Sequence, residues 1–140
     1  MRLVPALALV AMIVVSACGG FAAKGTAEDA VARFHQQLDG ERWDEMWEEA
    51  DDLFKGSTTR VKFTELFAAI HRKLGNVTSS KQTGFFSRDQ VGTNAGSYVE
   101  MTYETEFAEG RATEKFNWRV YGQRVRLVGY NVNSSALITN

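Results

Sequence analysis

Cysteine is almost absent from this chain: Cys18 is the only one among 140 residues. No intramolecular disulfide can form, so a folded domain must be stabilised by packing. The same count excludes a two-cysteine metal site. His35 and His71 are the only histidines, and no H-x-x-x-H or H-E-x-x-H spacing occurs. No metal site and no cofactor are therefore expected. Proline occurs once, at Pro5, and interrupts nothing after it. Neither sign of charge dominates: 16 basic residues face 17 acidic ones, a net charge of −1. That balance excludes the broad basic footprint of a nucleic-acid binder. The nearest thing to a basic cluster is Arg119, Arg124 and Arg126, read here as a solvated strand face. No G-x-S-x-G, P-loop or dinucleotide fingerprint is present, and there are no internal repeats. What remains is a globular composition, 44% hydrophobic and 24% charged, at a length that holds one domain.

The one long apolar run lies at the N-terminus. Met1-Arg2 is a short positive segment, Leu3 to Val15 is continuously apolar, and Ser16-Ala17 supplies small residues before Cys18. This is the three-part layout of a secretory signal over residues 1–17. The run falls short of the roughly 17–25 residues that span a bilayer, which argues against a retained transmembrane anchor. Val15-Ser16-Ala17-Cys18 resembles the lipobox of bacterial lipoproteins. The resemblance implies diacylglyceryl transfer to the Cys18 thiol, cleavage before it and acylation of the new amino terminus. Thiolate nucleophilicity is the reason such chemistry needs cysteine. The competing reading is an ordinary signal cut at the same bond, leaving a free thiol. Gly19 is not the aspartate that retains such proteins in the inner membrane, so the resemblance points to the outer membrane, facing the periplasm. Residues 18–25, ending Gly19 to Gly25, read as a lipidated, flexible tether.

Beyond it the spacing predicts three helices. Thr26 and Asp29 read as a capping pair for a helix carrying Ala27, Ala30, Val31, Phe34 and Leu38, ended by Asp39-Gly40. A second helix sets Trp43, Met46, Trp47 and Ala50 on one stripe, with Glu41, Asp44, Glu45, Glu48 and Glu49 solvated around it. Phe54-Lys55-Gly56 reads as a break. A third helix begins near Ser57 or Thr58 and runs through Phe63, Leu66, Phe67, Ile70 and Leu74 to a stop at Gly75-Asn76. The period then changes to two. Val77 to Phe86 reads as a polar strand. Val99, Met101, Tyr103, Thr105 and Phe107 share one face of the next strand. Ala112, Glu114, Phe116, Trp118 and Val120 share a face of the third, and Val125 to Val132 closes the sheet. The tail over residues 134–140 is polar and expected to fray.

The expected fold class is α+β: three N-terminal helices on one face of a curved antiparallel sheet of about four strands, within residues 26–133. The order of elements resembles the cone-shaped nuclear-transport-factor-2-like (cystatin-like) fold. The Trp43-x-x-x-Trp47 helix, the Leu74-Gly75 helix end, Gly96-Ser97-Tyr98 and the closing Arg126-Leu127-Val128-Gly129-Tyr130 resemble small bacterial lipoproteins with a domain of unknown function 4019. In one respect the chain departs from that pattern. Val125 stands where such proteins often carry tryptophan, so the core there is expected to repack around Trp118.

Enzymes of this cone-shaped fold place acids, bases and tyrosines in an apolar pocket between helices and sheet, where burial shifts their pKa values. Glu114, Tyr103, His35 and His71 are the residues from which such a cluster could be drawn. Each has a plainer reading: Glu114 near a strand start open to solvent, Tyr103 in the core, the histidines at helix boundaries. Trp43, Trp47, Tyr103, Glu114, Phe116 and Trp118 are the candidate pocket lining, with ordinary core packing as the alternative. Two functions are thus expected: a non-enzymatic envelope lipoprotein that binds a ligand, an envelope protein or a second copy of itself, or a small pocket isomerase or hydrolase. The partners expected are the membrane, through the lipid, and no nucleic acid.

Overall fold

Loss of the 3.6-residue period at Gly75 is where the chain passes from helix to sheet. The computed structural model describes residues 19–139. Four helices precede the sheet: α1 (Gly19–Asp39), α2 (Trp43–Glu49), α3 (Asp52–Ser57) and α4 (Arg60–Leu74). Four strands follow, β1 (Val77–Gln90), β2 (Gly96–Phe107), β3 (Gly110–Tyr121) and β4 (Arg124–Asn133), and then a short α5 (Ala136–Thr139). The strands form an open antiparallel sheet in the order β1-β2-β3-β4. The α+β class with four antiparallel strands is as expected. Ahead of the expected third helix, which is α4, an additional short helix α3 forms over the stretch expected to be a break.

That extra helix has a local cause. Asp51 accepts a hydrogen bond from Leu53 N at 2.9 Å and caps a short helix over the stretch expected to break. Thr59 then caps α4, its side chain accepting from Lys62 N at 3.2 Å. At the other end α1 reaches back to Gly19, through the residues expected to form a flexible tether. Thr26 does not cap it; its hydroxyl donates to Ala22 O inside the helix. Residues 1–18, with the signal segment and Cys18, lie outside the described residues.

Gly75 ends α4 at φ 74° and ψ −160°, a backbone region that only glycine occupies readily. A Cβ there would also stand 3.0 Å from that of Ala108. The helix end is tied to the sheet, since Ala108 N donates to Asn76 O and Glu109 N to Leu74 O. Asp39, closing α1, accepts from Val77 N, the first residue of β1.

α1 lies across all four strands. Its buried Val31, Phe34 and Leu38 meet Val99, Met101, Phe107, Phe116 and Leu127 from the sheet, and Phe63, Phe67 and Leu74 from α4. Fully burying one such phenylalanine contributes roughly 1.5–3 kcal/mol. The β2–β3 register is unbroken from Ser97↔Val120 to Phe107↔Gly110. Between β3 and β4 the register slips, Asn117 pairing with Gly129 and Trp118 with Leu127. Val128 is the extra residue of a bulge. The bulge resets the alternation of β4, so that Leu127 and Tyr130, three apart, both pack into the core. The β4 edge is partly covered, with Asp51 N donating to Leu127 O and Arg126 to Ala50 O. The tail is less frayed than expected: Ser134 donates to Arg111 O, and Ala136 is buried.

Candidate functional site

The acidic residue buried deepest in this apolar layer is Glu114, at 0% exposure. The expectation that it opens to solvent fails because β3 continues well past it. Glu114 pairs with Val132 on β4 and Tyr103 on β2, and α1 covers it from above. Burying an unpartnered carboxylate is prohibitive, so the surrounding elements must supply donors. His35, from the middle of α1, places Nε2 2.7 Å from Oε2. Thr105, from β2, donates its hydroxyl to the same oxygen at 2.6 Å. Tyr130, turned inward by the bulge, donates to Oε1 at 2.6 Å. Ser80 of β1 reaches Thr105 Oγ1 at 2.9 Å. One side chain thus links α1 to β2, β3 and β4, and through Thr105 to β1.

The tyrosines report the same environment. Burial, and then the charge of Glu114 and the hydrogen bond to it, push Tyr130 well above its ordinary value. Burial, followed by the charges of Glu28 and Glu114, pushes Tyr103 up to about 12. Of the four residues drawn from the sequence, the structure brings Glu114 and His35 together and leaves Tyr103 and His71 out of the hydrogen bonding; the tyrosine that joins them is Tyr130. Tyr103 is buried with its ring edge-on to Phe116. His71 is half-buried on α4, edge-on to Trp43. In the sequence Thr105 stands out only as a strand-face residue and Tyr130 only as part of the closing motif, neither as a site residue. Thr105 looks there like one more β-strand threonine. Tyr130 falls out of step with Leu127 under strict alternation, and Gly129 beside it is the signal of the bulge.

Aromatic rings close around the cluster. Phe34 lies 5.0 Å from Phe116 and 4.9 Å from Tyr130 between ring centroids, and Phe67 stands 5.4 Å from Tyr130. Trp118 stacks on Phe116. Trp47 packs edge-on against Phe63. Of the candidate pocket residues, Trp118 walls a small cleft beside α2 and β4, with Phe34, Met46, Phe63 and Leu127 among its neighbours. Its volume of about 40 Å³ is water-sized. Trp43 borders a shallow surface depression instead. Two larger surface hollows, of about 540 and 220 Å³, lie at the end of the sheet and beside β4. None of these four is walled by Glu114, His35 or Tyr130. Among the described residues there is no group of three or more histidine, cysteine, aspartate or glutamate side chains placed to hold a metal ion. No described helix is long and apolar enough to cross a membrane.

Fold and site together define an open-sheet α+β domain whose helical layer is joined to the sheet through a buried, fully hydrogen-bonded carboxylate. The chain belongs to the family described as protein of unknown function DUF4019, whose model matches residues 30–130. That span runs from the middle of α1 to Tyr130 and takes in His35, Thr105 and Glu114. No curated protein matches the chain.

Proposed function

We propose that this is a lipid-anchored bacterial envelope protein whose domain binds a ligand or partner and carries out no chemistry on it. The anchor rests on Val15-Ser16-Ala17-Cys18 directly after an apolar run. Several acyl chains on one residue anchor stably, where a single chain is marginal. The residue after the cysteine is Gly19, which favours the outer membrane with the domain in the periplasm. The helices stacked on one face of an open sheet suit the cone-shaped nuclear-transport-factor-2-like arrangement, and that is the fold proposed for the domain.

The observation that carries the non-catalytic reading is the closure of Glu114. Both of its oxygens are engaged at 2.6–2.7 Å by three different side chains. A general acid or base must reach a substrate proton within hydrogen-bond distance. Here aromatic rings and α1 occupy that space. Glu114 acts instead as a buried polar tie that fixes α1 on the sheet, and recognition is left to the surface. The pocket-enzyme reading draws on the inward carboxylate beside His35, but none of the four hollows described above is walled by it.

The anchor is tested by Cys18→Ala in cells fed a labelled fatty acid. Label in the protein disappears and the protein moves from the membrane to the soluble fraction. Label and membrane partition both unchanged in Cys18→Ala defeat the proposal.

A further inference from the structure

The end of the sheet at which α1 begins gathers four arginines. The β1–β2 loop and the β3–β4 turn both lie at this end, since Arg88, Tyr98 and Arg119 are register neighbours there. Ala23, in the second turn of α1, walls the 540 Å³ groove together with Arg88, Tyr98, Val120 and Gly122. The start of the helix therefore lies against these strand ends. Arg88, Arg119, Arg124 and Arg126 all belong to them, and none forms an ion pair among the described residues. Of the other described arginines, Arg33, Arg42, Arg60 and Arg111 each do, and Arg72 of α4 does not.

Arg88 and Arg119 flank the Tyr98 ring, their guanidinium carbons 4.7 and 5.8 Å from its centroid. The ring holds the cations in place and leaves their charge available. Of the acids nearby, Glu28 and Glu49 are held in ion pairs, while Asp89 lines the groove itself. The Asp89 carboxylate accepts only from a hydroxyl, and that of Asp51 from a hydroxyl and a backbone N–H. Asp89 accepts from Ser97 at 2.6 Å, Asp51 accepts from Tyr121 at 2.6 Å, Glu28 pairs with Lys24 at 2.7 Å, and Glu49 contacts Arg33 at 3.7 Å. Asp29 on α1 and Glu100, two residues from Tyr98 on β2, are exposed. Val91, in the loop after β1, is 91% exposed.

We propose that this end of the domain is a docking face for an anionic bilayer. Headgroup phosphates meet Arg88, Arg119 and Arg124, and Val91 enters the headgroup layer. The inference rests on Cys18 being acylated. Gly19 is the first residue of α1, and adjacent Cα atoms lie about 3.8 Å apart. Acyl chains on the preceding residue hold the helix start at the lipid surface, and with it the strand ends packed against Ala23. An anionic surface attracts each nearby arginine, and the attraction falls off within a Debye length.

The test uses the acylated full chain reconstituted in phosphatidylcholine vesicles with and without phosphatidylglycerol. Acylation consumes the Cys18 thiol, so Val91→Cys gives a single site for a solvent-sensitive fluorophore. Glu109→Cys, in the β2–β3 turn at the far end of the sheet, is the control. In phosphatidylglycerol vesicles iodide is expected to quench the Val91 probe several-fold less than the Glu109 probe. The protection is expected to vanish at about 1 M salt, where the Debye length is about 3 Å, or in the Arg88→Glu, Arg124→Glu double variant. Equal quenching at the two positions, with acyl mass present on the N-terminal peptide, overturns the docking face. Absence of that mass defeats the anchor instead. The Val91 probe is then read in a Cys18→Ala background with vesicles added. A blue shift specific to phosphatidylglycerol supports the face, and no shift overturns it.

Discussion

A single residue decides how the helical layer meets the sheet. Glu114 is fully buried; its carboxyl accepts from Thr105 and Tyr130 and lies 2.7 Å from His35 Nε2. Truncating one partner of a buried charge network is costly because the others lose their compensation. Glu114→Gln presents an amide NH₂ where at least one donor now points. It is expected to destabilise the fold by about 3 kcal/mol, seen as an earlier urea midpoint with an unchanged slope. Tyr130→Phe keeps the ring against Phe34 and Phe67 and loses only the hydroxyl, so its expected cost is smaller, about 1.5–3 kcal/mol. Midpoints for both variants equal to that of the parent would show that the cluster does not hold the fold. Little of this was legible in the sequence. Its alternation put Glu114 on the same face as Phe116 and Trp118, which is correct. Glutamate is rarely buried without partners, and the partners come from α1 and β4, far along the chain. Only the three-dimensional pairing turns an expected exposed acid into the centre of the core.

Among the elements, the long periodic ones were readable and the short capped ones were not. The stripes of α1 and α4 and the alternation of β2 and β3 are strong signals, because each segment presents several apolar residues to one layer. The helix α3 has six residues and none of them buried, so periodicity could not reveal it. Its signal is Asp51, which is 1% exposed and serves two roles. One oxygen caps α3, accepting from Leu53 N, and the other accepts from the Tyr121 hydroxyl at 2.6 Å. Asp51→Ala removes both and is expected to cost about 2–3 kcal/mol. In amide exchange the loss should appear first at Leu53, whose N–H loses its acceptor, at Lys55, whose N–H bonds to Asp51 O in the first turn of α3, and at residue 51 itself, whose N–H donates to Leu127 O. Exchange at Lys55 no faster than in the parent would show that the cap is dispensable. The bulge in β4 is a second hidden feature. Gly129 hints at it, but which residue is extra depends on the register with β3, where Trp118 takes Leu127 and Asn117 takes Gly129.

For the whole molecule, the buried tyrosines make a claim about pH. An open sheet covered on one face has a single core, so groups titrating inside it act on global stability. Tyr103 is pushed up to about 12 by burial and then by the charges of Glu28 and Glu114, and Tyr130 well above its ordinary value by burial and the same carboxylate. Both start from an unfolded value of 10.0. Between pH 10 and about 12 the unfolded chain therefore releases protons that the folded one retains. With fewer protons bound in the unfolded state, stability falls as pH rises. The stabilisation is whole below pH 10 and is lost progressively through the folded-state value of Tyr103. Urea midpoints at pH 9, 10, 11 and 11.5 are expected to decline, and the decline should be shallower in Tyr103→Phe, which removes one of the linked protons. The comparison separates this linkage from general alkaline charge repulsion, which the substitution leaves in place. Parallel declines in parent and variant would mean that Tyr103 ionises as freely in the folded protein as in the unfolded chain, and that the core around Glu114 is open to water. That result would also remove the closure on which the non-catalytic reading depends.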